Sequence, residues 1–439
     1  MRLLHSRVAR SPFAMTNNKK FTNSQKPVVK TLAWLFILIT FFFSLISLFK
    51  IITTFAPDFS VFYASASNAV HGVSVYTGSL IFTGFGYPIV TAIPYIPFLL
   101  FPYQISQGLF IILSFLAIPL IVFISLKIIN AKYSLLIILL TSAFIFLSFP
   151  TKFTLGMGQS NLLVYALLLF SFYLLGKSGK YGEVGGIAFG LCLIIKPVLA
   201  FLILYFLLYR KWRFLLYAFF TVAFGFLCSL VFFNQGLSDY YYYFHTFLPH
   251  ILGQSGREIY YNQGISGFVS RLIPNLFFRT ITTLLLDLLL VTSLIGLILM
   301  KKVKPVAGFA LFLAALPLVD SLSWQHHFVF LIFPFIYLVS SVIGNNPKPT
   351  NVVIARILRR SNLSNMGGLL HQFPNWFAMT IKSNYMLLLI GLSYLLISMN
   401  IKDPTPFYQF PLSLLLSHVF YGSVLLFLLI IRSLKKNLL

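Results

Sequence analysis

Apolar runs of about twenty residues recur along this chain, and each can cross roughly 30 Å of hydrocarbon as a helix. That recurrence leaves few folds open. Hydrophobic residues make up 59% of the sequence and charged residues 9%, against roughly a quarter charged in soluble domains. None of the runs shows the weak two-residue alternation of a membrane barrel. The reading is an all-α polytopic membrane protein of about twelve transmembrane helices. The expected spans are 32–51, 105–128, 134–150, 158–175, 184–196, 198–209, 214–233, 280–300, 305–320, 325–343, 383–400 and 410–431. They form one membrane domain, 31–439, behind a basic cytoplasmic tail, 1–30. The fifth and sixth are split because Lys196-Pro197 interrupts an apolar stretch. Proline removes a helix hydrogen bond and a lysine within the membrane is costly, so a hairpin apex suits the pair better than mid-span.

The charges test this topology. A net charge of +25 would suggest nucleic acid in a soluble protein, but here the basic residues sit between spans and at the ends. With twelve spans and both termini inside, the outer side keeps only Lys50, Lys152, Lys196, Arg257, Arg271, Arg279 and Lys402 of the 32 Lys+Arg. The 7 Asp+Glu fall the other way: Glu183 lies inside, while Asp58, Asp239, Glu258, Asp287, Asp320 and Asp403 lie outside or in the outer part of a span. Positive-inside bias explains the first distribution and not the second, because acids contribute little to orientation. The two cysteines, Cys192 and Cys228, fall in apolar runs and suggest neither a disulfide nor a metal site.

Two long outer segments, 52–104 and 234–279, are too broken for clean spans and rich in aromatic residues, as interfacial helices are. The inner segment 344–382 is polar and basic, a lipid-facing or disordered connector. Nearly every unusual polar residue then lands on one side. Asp58 follows the first span, and Lys152 and Gly156 to Asn161, with Gln159, join the third and fourth. Lys196 joins the fifth and sixth; Asn262, Gln263 and Arg271 lie in the second long segment; Asp320, Trp324, Gln325, His326 and His327 join the ninth and tenth. Each has a plain structural reading on its own. Convergence on one face is what a site built from several loops requires. On a helix the adjacent histidines would point about 100° apart, so a shared metal is not expected. No outer segment pairs two acids in a short Asp-x-Asp spacing, so neither a metal–nucleotide site nor any other cofactor is expected.

Several stretches resemble the polyprenyl-phosphate-mannose-dependent mannosyltransferases of glycosyltransferase family 87. They are Asp58-Phe59-x-x-Phe62-Tyr63-Ala64, His71-Gly72-x-x-x-Tyr76, Phe85-Gly86-Tyr87-Pro88, Gly158-Gln159-Ser160-Asn161 and Gly186-x-x-x-Gly190 leading to Lys196-Pro197. Tyr209 to Trp212, Asn262-Gln263 with Gly267 and Arg271, and Ser323-Trp324-Gln325-His326-His327 complete the set. The chain departs from the family at Ile89, where a second proline is common, and at Gln325, where an acid precedes the paired histidines.

The resemblance implies the multi-span GT-C fold in a bacterial inner membrane, with both termini cytoplasmic and the site on the outer face. It also implies transfer of a hexose, mannose in the family, from a polyprenyl-phosphate donor to a glycolipid or glycan acceptor among membrane lipids. Asp58 matches the family's general base for single-displacement, inverting transfer. Lys196, Lys152, Arg271, His326 and His327 become candidates for the donor phosphate. Tyr63, Tyr87, Gln159, Asn161, Asn262, Gln263 and Trp324 become candidates for sugar and acceptor. The rival reading is a flippase or transporter, with Asp287 inside the eighth span as its relay; the halves show no internal repeat to support it.

Overall fold

The computed structural model describes residues 25–77, 84–177, 179–249, 257–301, 303–344 and 372–437. Sixteen α-helices are labelled here in chain order. They are α1 Gln25–Thr53, α2 Pro57–Val70, α3 Tyr103–Ile128, α4 Leu135–Leu147, α5 Phe149–Met157, α6 Asn161–Leu175, α7 Tyr181–Ile195 and α8 Phe201–Leu208. The rest are α9 Trp212–Phe232, α10 Gly236–Tyr242, α11 Ile265–Leu272, α12 Leu276–Lys301, α13 Pro305–Val319, α14 Ile332–Gly344, α15 Gln372–Ser398 and α16 His418–Asn437. Among the described residues no strand forms, and the single β-bridge joins Asn262 to Trp324.

Among the described residues six helices are long and apolar enough to cross a membrane: Lys30–Thr53, Tyr103–Ile128, Trp212–Phe232, Leu276–Met300, Gln325–Ile343 and Leu412–Leu434. The pair α4–α5 would make a seventh, bent by 73°. Each predicted span falls on a helix, several of them shorter than a full crossing. The third, predicted over 134–150, differs most. It stops at Leu147, and a separate helix, Phe149–Met157, takes up the end of that span and the predicted connector 151–157. Pro150 explains the break: it has no N–H for the carbonyl of Phe146, and its ring would strike that carbonyl in a continuous helix. Of the predicted outer segments, 52–104 contains α2 and a 3-10 stretch, Ile89–Leu100, while 234–279 contains α10, a π turn over Tyr243–Phe247, and α11.

Two features of the packing place the site. Glycines let α7 lie against the backbone of α9: a Cβ on Gly186 would stand 2.4 Å from the carbonyl oxygen of Phe214, and one on Gly190 2.7 Å from that of Ala218. Small residues at such crossings allow close approach, and here they seat the end of α7, where Lys196 follows. The second feature is α13, buried over nearly its whole length, which carries Asp320 at its end.

Asp239 ties together the two segments predicted to be outer, 52–104 and 234–279. Its carboxylate, 2% exposed, accepts from the Ser74 hydroxyl and, at 3.0 Å, from the Val75 amide. Asp239→Ala would leave that buried amide without a partner, a cost of about 1–3 kcal/mol. A fall in the apparent unfolding temperature in detergent is expected, and an unchanged value would show that the clamp contributes nothing.

Candidate active site

Asp58 stands in the first turn of α2, which follows α1 after the three residues Thr54, Phe55 and Ala56, and Gln107 of α3 sets the turn between the two helices. The Gln107 amide is fully used: Nε2 donates to the carbonyls of Ile52 and Thr54, both at 2.9 Å. Its Oε1 accepts from the Ala56 amide at 2.9 Å and the Tyr103 hydroxyl at 2.8 Å. From the other side comes Gly158, which caps α5 in the left-handed region with φ 69°. A Cβ there would lie 2.6 Å from Cβ of Phe59 and 3.0 Å from that of Ala56. The end of α5 therefore abuts the start of α2, and the next residue, Gln159, reaches Asp58.

A chain of hydrogen bonds follows. Gln159 Nε2 donates to Asp58 Oδ2 at 2.6 Å, and Lys196 Nζ donates to Gln159 Oε1 at 2.8 Å and to the Tyr87 hydroxyl at 2.9 Å. Only this orientation of the Gln159 amide satisfies both a carboxylate and an ammonium. Tyr87 is held in turn by the Tyr76 hydroxyl, which donates to its carbonyl at 2.7 Å. Lys196 is 1% exposed and acts on the site through these two side chains and its field.

The electrostatics follow from burial. Burial raises the Asp58 carboxyl above its ordinary range; the Gln159 hydrogen bond and the charges of Lys196 and His327 pull the other way. Burial lowers the Lys196 ammonium to about 8, opposed by Asp58 and Asp320. Tyr87 is pushed up by burial and by the same two acids, so it stays a neutral donor. A direct Lys196–Asp58 ion pair would have held the carboxylate low. The interposed glutamine avoids this.

A second arm approaches from the end of α13. His327 Nδ1 and Asp320 Oδ2 lie 2.6 Å apart, each side chain 13% exposed. His326 and His327 occupy a 3-10 stretch, Gln325–Leu331, rather than an α-helix, and their rings meet edge to face at 4.5 Å and 82°. The His326 ring is buried, and its carbonyl accepts from Asn161 Nδ2 at 2.9 Å and the Thr154 hydroxyl at 3.2 Å. Trp324 stacks near Tyr261 at 6.1 Å, and Tyr261 on Phe153 at 5.2 Å.

Asp58, Gln159, Lys196 and Tyr87 thus come together, and His327 lies within their field. Other predicted residues serve elsewhere. The Tyr63 hydroxyl donates to the Phe101 carbonyl at 3.0 Å. Lys152 sits on α5 with Nζ 5.8 Å from the centre of the Phe146 ring. Asn262 bonds to the Arg257 carbonyl at 3.0 Å and Gln263 to the Leu416 carbonyl at 2.6 Å. Arg271 ties the Asn262 carbonyl at 3.0 Å to the Ser417 hydroxyl at 2.9 Å. Gln263 and Arg271 tie the 257–263 loop to the C-terminal hairpin, made of α15, α16 and the 3-10 stretch Leu412–Ser417 between them, while Asn262 closes the loop on itself. Sequence reasoning gave no role to Gln107, and it placed Asp320 on the same face as the site without assigning it a role. For Asp320 a signal existed: the acid missing before the histidines at Gln325 is supplied from seven residues ahead of His327.

The model of glycosyltransferase family 87 matches residues 85–334. That range holds every residue of the cluster except Asp58, whose segment precedes it. No curated protein and no solved structure compared with the chain matches it. A match over more than half of a chain built from apolar membrane helices settles the family: this protein belongs to glycosyltransferase family 87 and is a membrane glycosyltransferase.

Proposed function

We propose that the protein moves mannose from a polyprenyl-phosphate donor to a glycolipid or glycan acceptor on the outer face of a bacterial inner membrane, inverting the anomeric centre, with Asp58 as general base. One observation carries this reading: the carboxylate of Asp58 is tied through Oδ2 to Gln159 alone and kept by it from a direct hydrogen bond to Lys196. Its Oδ1 is left for an acceptor hydroxyl. The acceptor oxygen attacks C1 as its proton passes to Asp58. The C1–O bond to phosphate breaks, and the polyprenyl phosphate departs with the electron pair. A phosphate leaving group needs little protonation, so one base is enough. Lys196 supplies positive charge where the leaving group gains negative charge. Tyr87 and Trp324 would frame the sugar, while Asn161, 0% exposed, holds the His326 carbonyl in place.

The twelve-span GT-C arrangement is part of this proposal. Four connectors assigned to the outer side by charge contribute Asp58, Gln159, Lys196 and His327 to one cluster. Two assigned to the inner side also meet, the Tyr209 hydroxyl donating to the Val303 carbonyl at 2.9 Å. Both pairings support the same threading.

The test is transfer by purified protein in nanodiscs from labelled polyprenyl-phosphate mannose, with a nucleotide sugar as the competing donor, a membrane glycolipid extract as acceptor and chelator in a parallel arm. Chelator-resistant transfer from the lipid donor, with inversion seen by NMR, is expected. Transfer from the nucleotide sugar alone would overturn the reading, and so would movement of the lipid donor across the bilayer without transfer.

Gly158 offers a second check. Alanine there meets both a left-handed backbone, costing about 1–2 kcal/mol, and the Phe59 Cβ. Something must move, and a shift of about 1 Å at a reacting group can cost 10²-fold. Gly158→Ala is expected to lower turnover by about that factor while leaving the protein folded. Wild-type turnover would show that the junction of α5 and α2 does not position Asp58.

A further inference from the structure

A cleft with a volume of about 990 Å³ runs between α3, α4, α14 and α15, away from the cluster around Asp58. One end is bounded by Ser148 and Thr151, behind α5; the other by Ile129 and Lys132, where α3 gives way to α4. The wall is mainly apolar, and two of its hydroxyls are spent on their own helices: Ser148 Oγ donates to the Ile145 carbonyl and Ser341 Oγ to that of Leu338, at 2.7 and 2.8 Å. Among the described residues that line it, Lys132 is the one charged residue, and it is exposed. Asn130, in the left-handed region with φ 52°, turns the chain so that Lys132 stands at the mouth.

An apolar trough with a cation at one rim fits an amphiphile with an anionic head. We propose that the cleft binds an anionic phospholipid, its phosphate at Lys132 and an acyl chain along the trough. The orientation proposed above makes this a lipid of the cytoplasmic leaflet, where anionic lipids attract basic residues. Distance separates it from the sugar donor. The thirteen residues of α4 alone put about 20 Å between the two ends, so a phosphate at Lys132 is not one whose sugar Asp58 could serve. Part of the wall, including Gly391 and Tyr394 of α15, lies beyond the family-matched segment.

The test uses protein reconstituted in equimolar dioleoyl phosphatidylglycerol and phosphatidylcholine, stripped of bulk lipid and read by native mass spectrometry. Wild type should retain phosphatidylglycerol over phosphatidylcholine by about fivefold, as one lysine near a membrane surface implies. Lys132→Glu should bring the ratio to about one or below. Gly391→Phe should lower retention of both lipids; a Cβ there meets nothing within 4 Å, so the new side chain can enter the trough without displacing backbone. Equal enrichment in wild type and Lys132→Glu, or unchanged retention in Gly391→Phe, overturns the proposal, and so does polyprenyl phosphate displacing phosphatidylglycerol from wild type. Bound mass rather than sugar transfer is the readout, so the result stands apart from the catalytic proposal.

Discussion

Asp58→Asn should reduce sugar transfer by about 10²- to 10⁴-fold, the range associated with removal of a positioned general base, and leave the fold intact. Asparagine keeps an oxygen for Gln159 Nε2, so the bond that joins α2 to the end of α5 survives. What disappears is the group able to take a proton. Asp58→Glu separates position from chemistry: it keeps the carboxylate but advances it by one methylene, and should recover only a small part of the lost rate. The measurement is single-turnover transfer from the lipid-linked donor, with unfolding temperatures in parallel. Wild-type rates in Asp58→Asn would remove the base from the mechanism. A rate loss accompanied by a collapse in unfolding temperature would reduce Asp58 to a structural link.

The parts of the site legible in the sequence are those whose placement is expensive. An acid in a chain with 7 of them, and a lysine interrupting an apolar stretch, both demand an explanation before any fold is known. Charge bias then put their connectors on one side, and the structure brings Asp58, Gln159 and Lys196 into one hydrogen-bonded chain.

Inexpensive polar residues were not legible in the same way. Asn262, Gln263 and Arg271 look, in one dimension, like binding residues. In three dimensions their hydrogen bonds go to carbonyls and a hydroxyl of the 257–263 loop and the C-terminal hairpin. Burial imposes the same need for partners on a structural amide as on a catalytic one, so residue type alone does not separate them. Gln107 shows the converse, since its four hydrogen bonds depend on a turn between α1 and α2 that no local pattern announces. The helix α5 was missed for a related reason: Pro150 ends the span, and the same residue is well suited to start a new helix.

Lys196 should give the second largest effect and a pH signature of its own. Removing its charge with Lys196→Met should cost about 10²- to 10³-fold in turnover, as loss of a preorganised electrostatic group does. The wild-type rate should rise as Asp58 loses its proton, above the ordinary carboxylate range because burial raises that group. It should fall again as Lys196 loses its proton near pH 8. Lys196→Arg, which stays charged, should move the upper limb out of the accessible range even if its bulk lowers the maximum.

Stability should run the opposite way. A lysine lowered from 10.5 to about 8 in the folded protein binds fewer protons there than in the unfolded chain between those values. Stability therefore rises with pH across that window. Wild-type unfolding temperature, taken relative to Lys196→Arg, should climb between about pH 8 and 10.5 while activity declines. An upper limb unmoved by arginine would assign the loss of activity to another group. A flat stability difference would show that Lys196 is not desolvated as the structure has it.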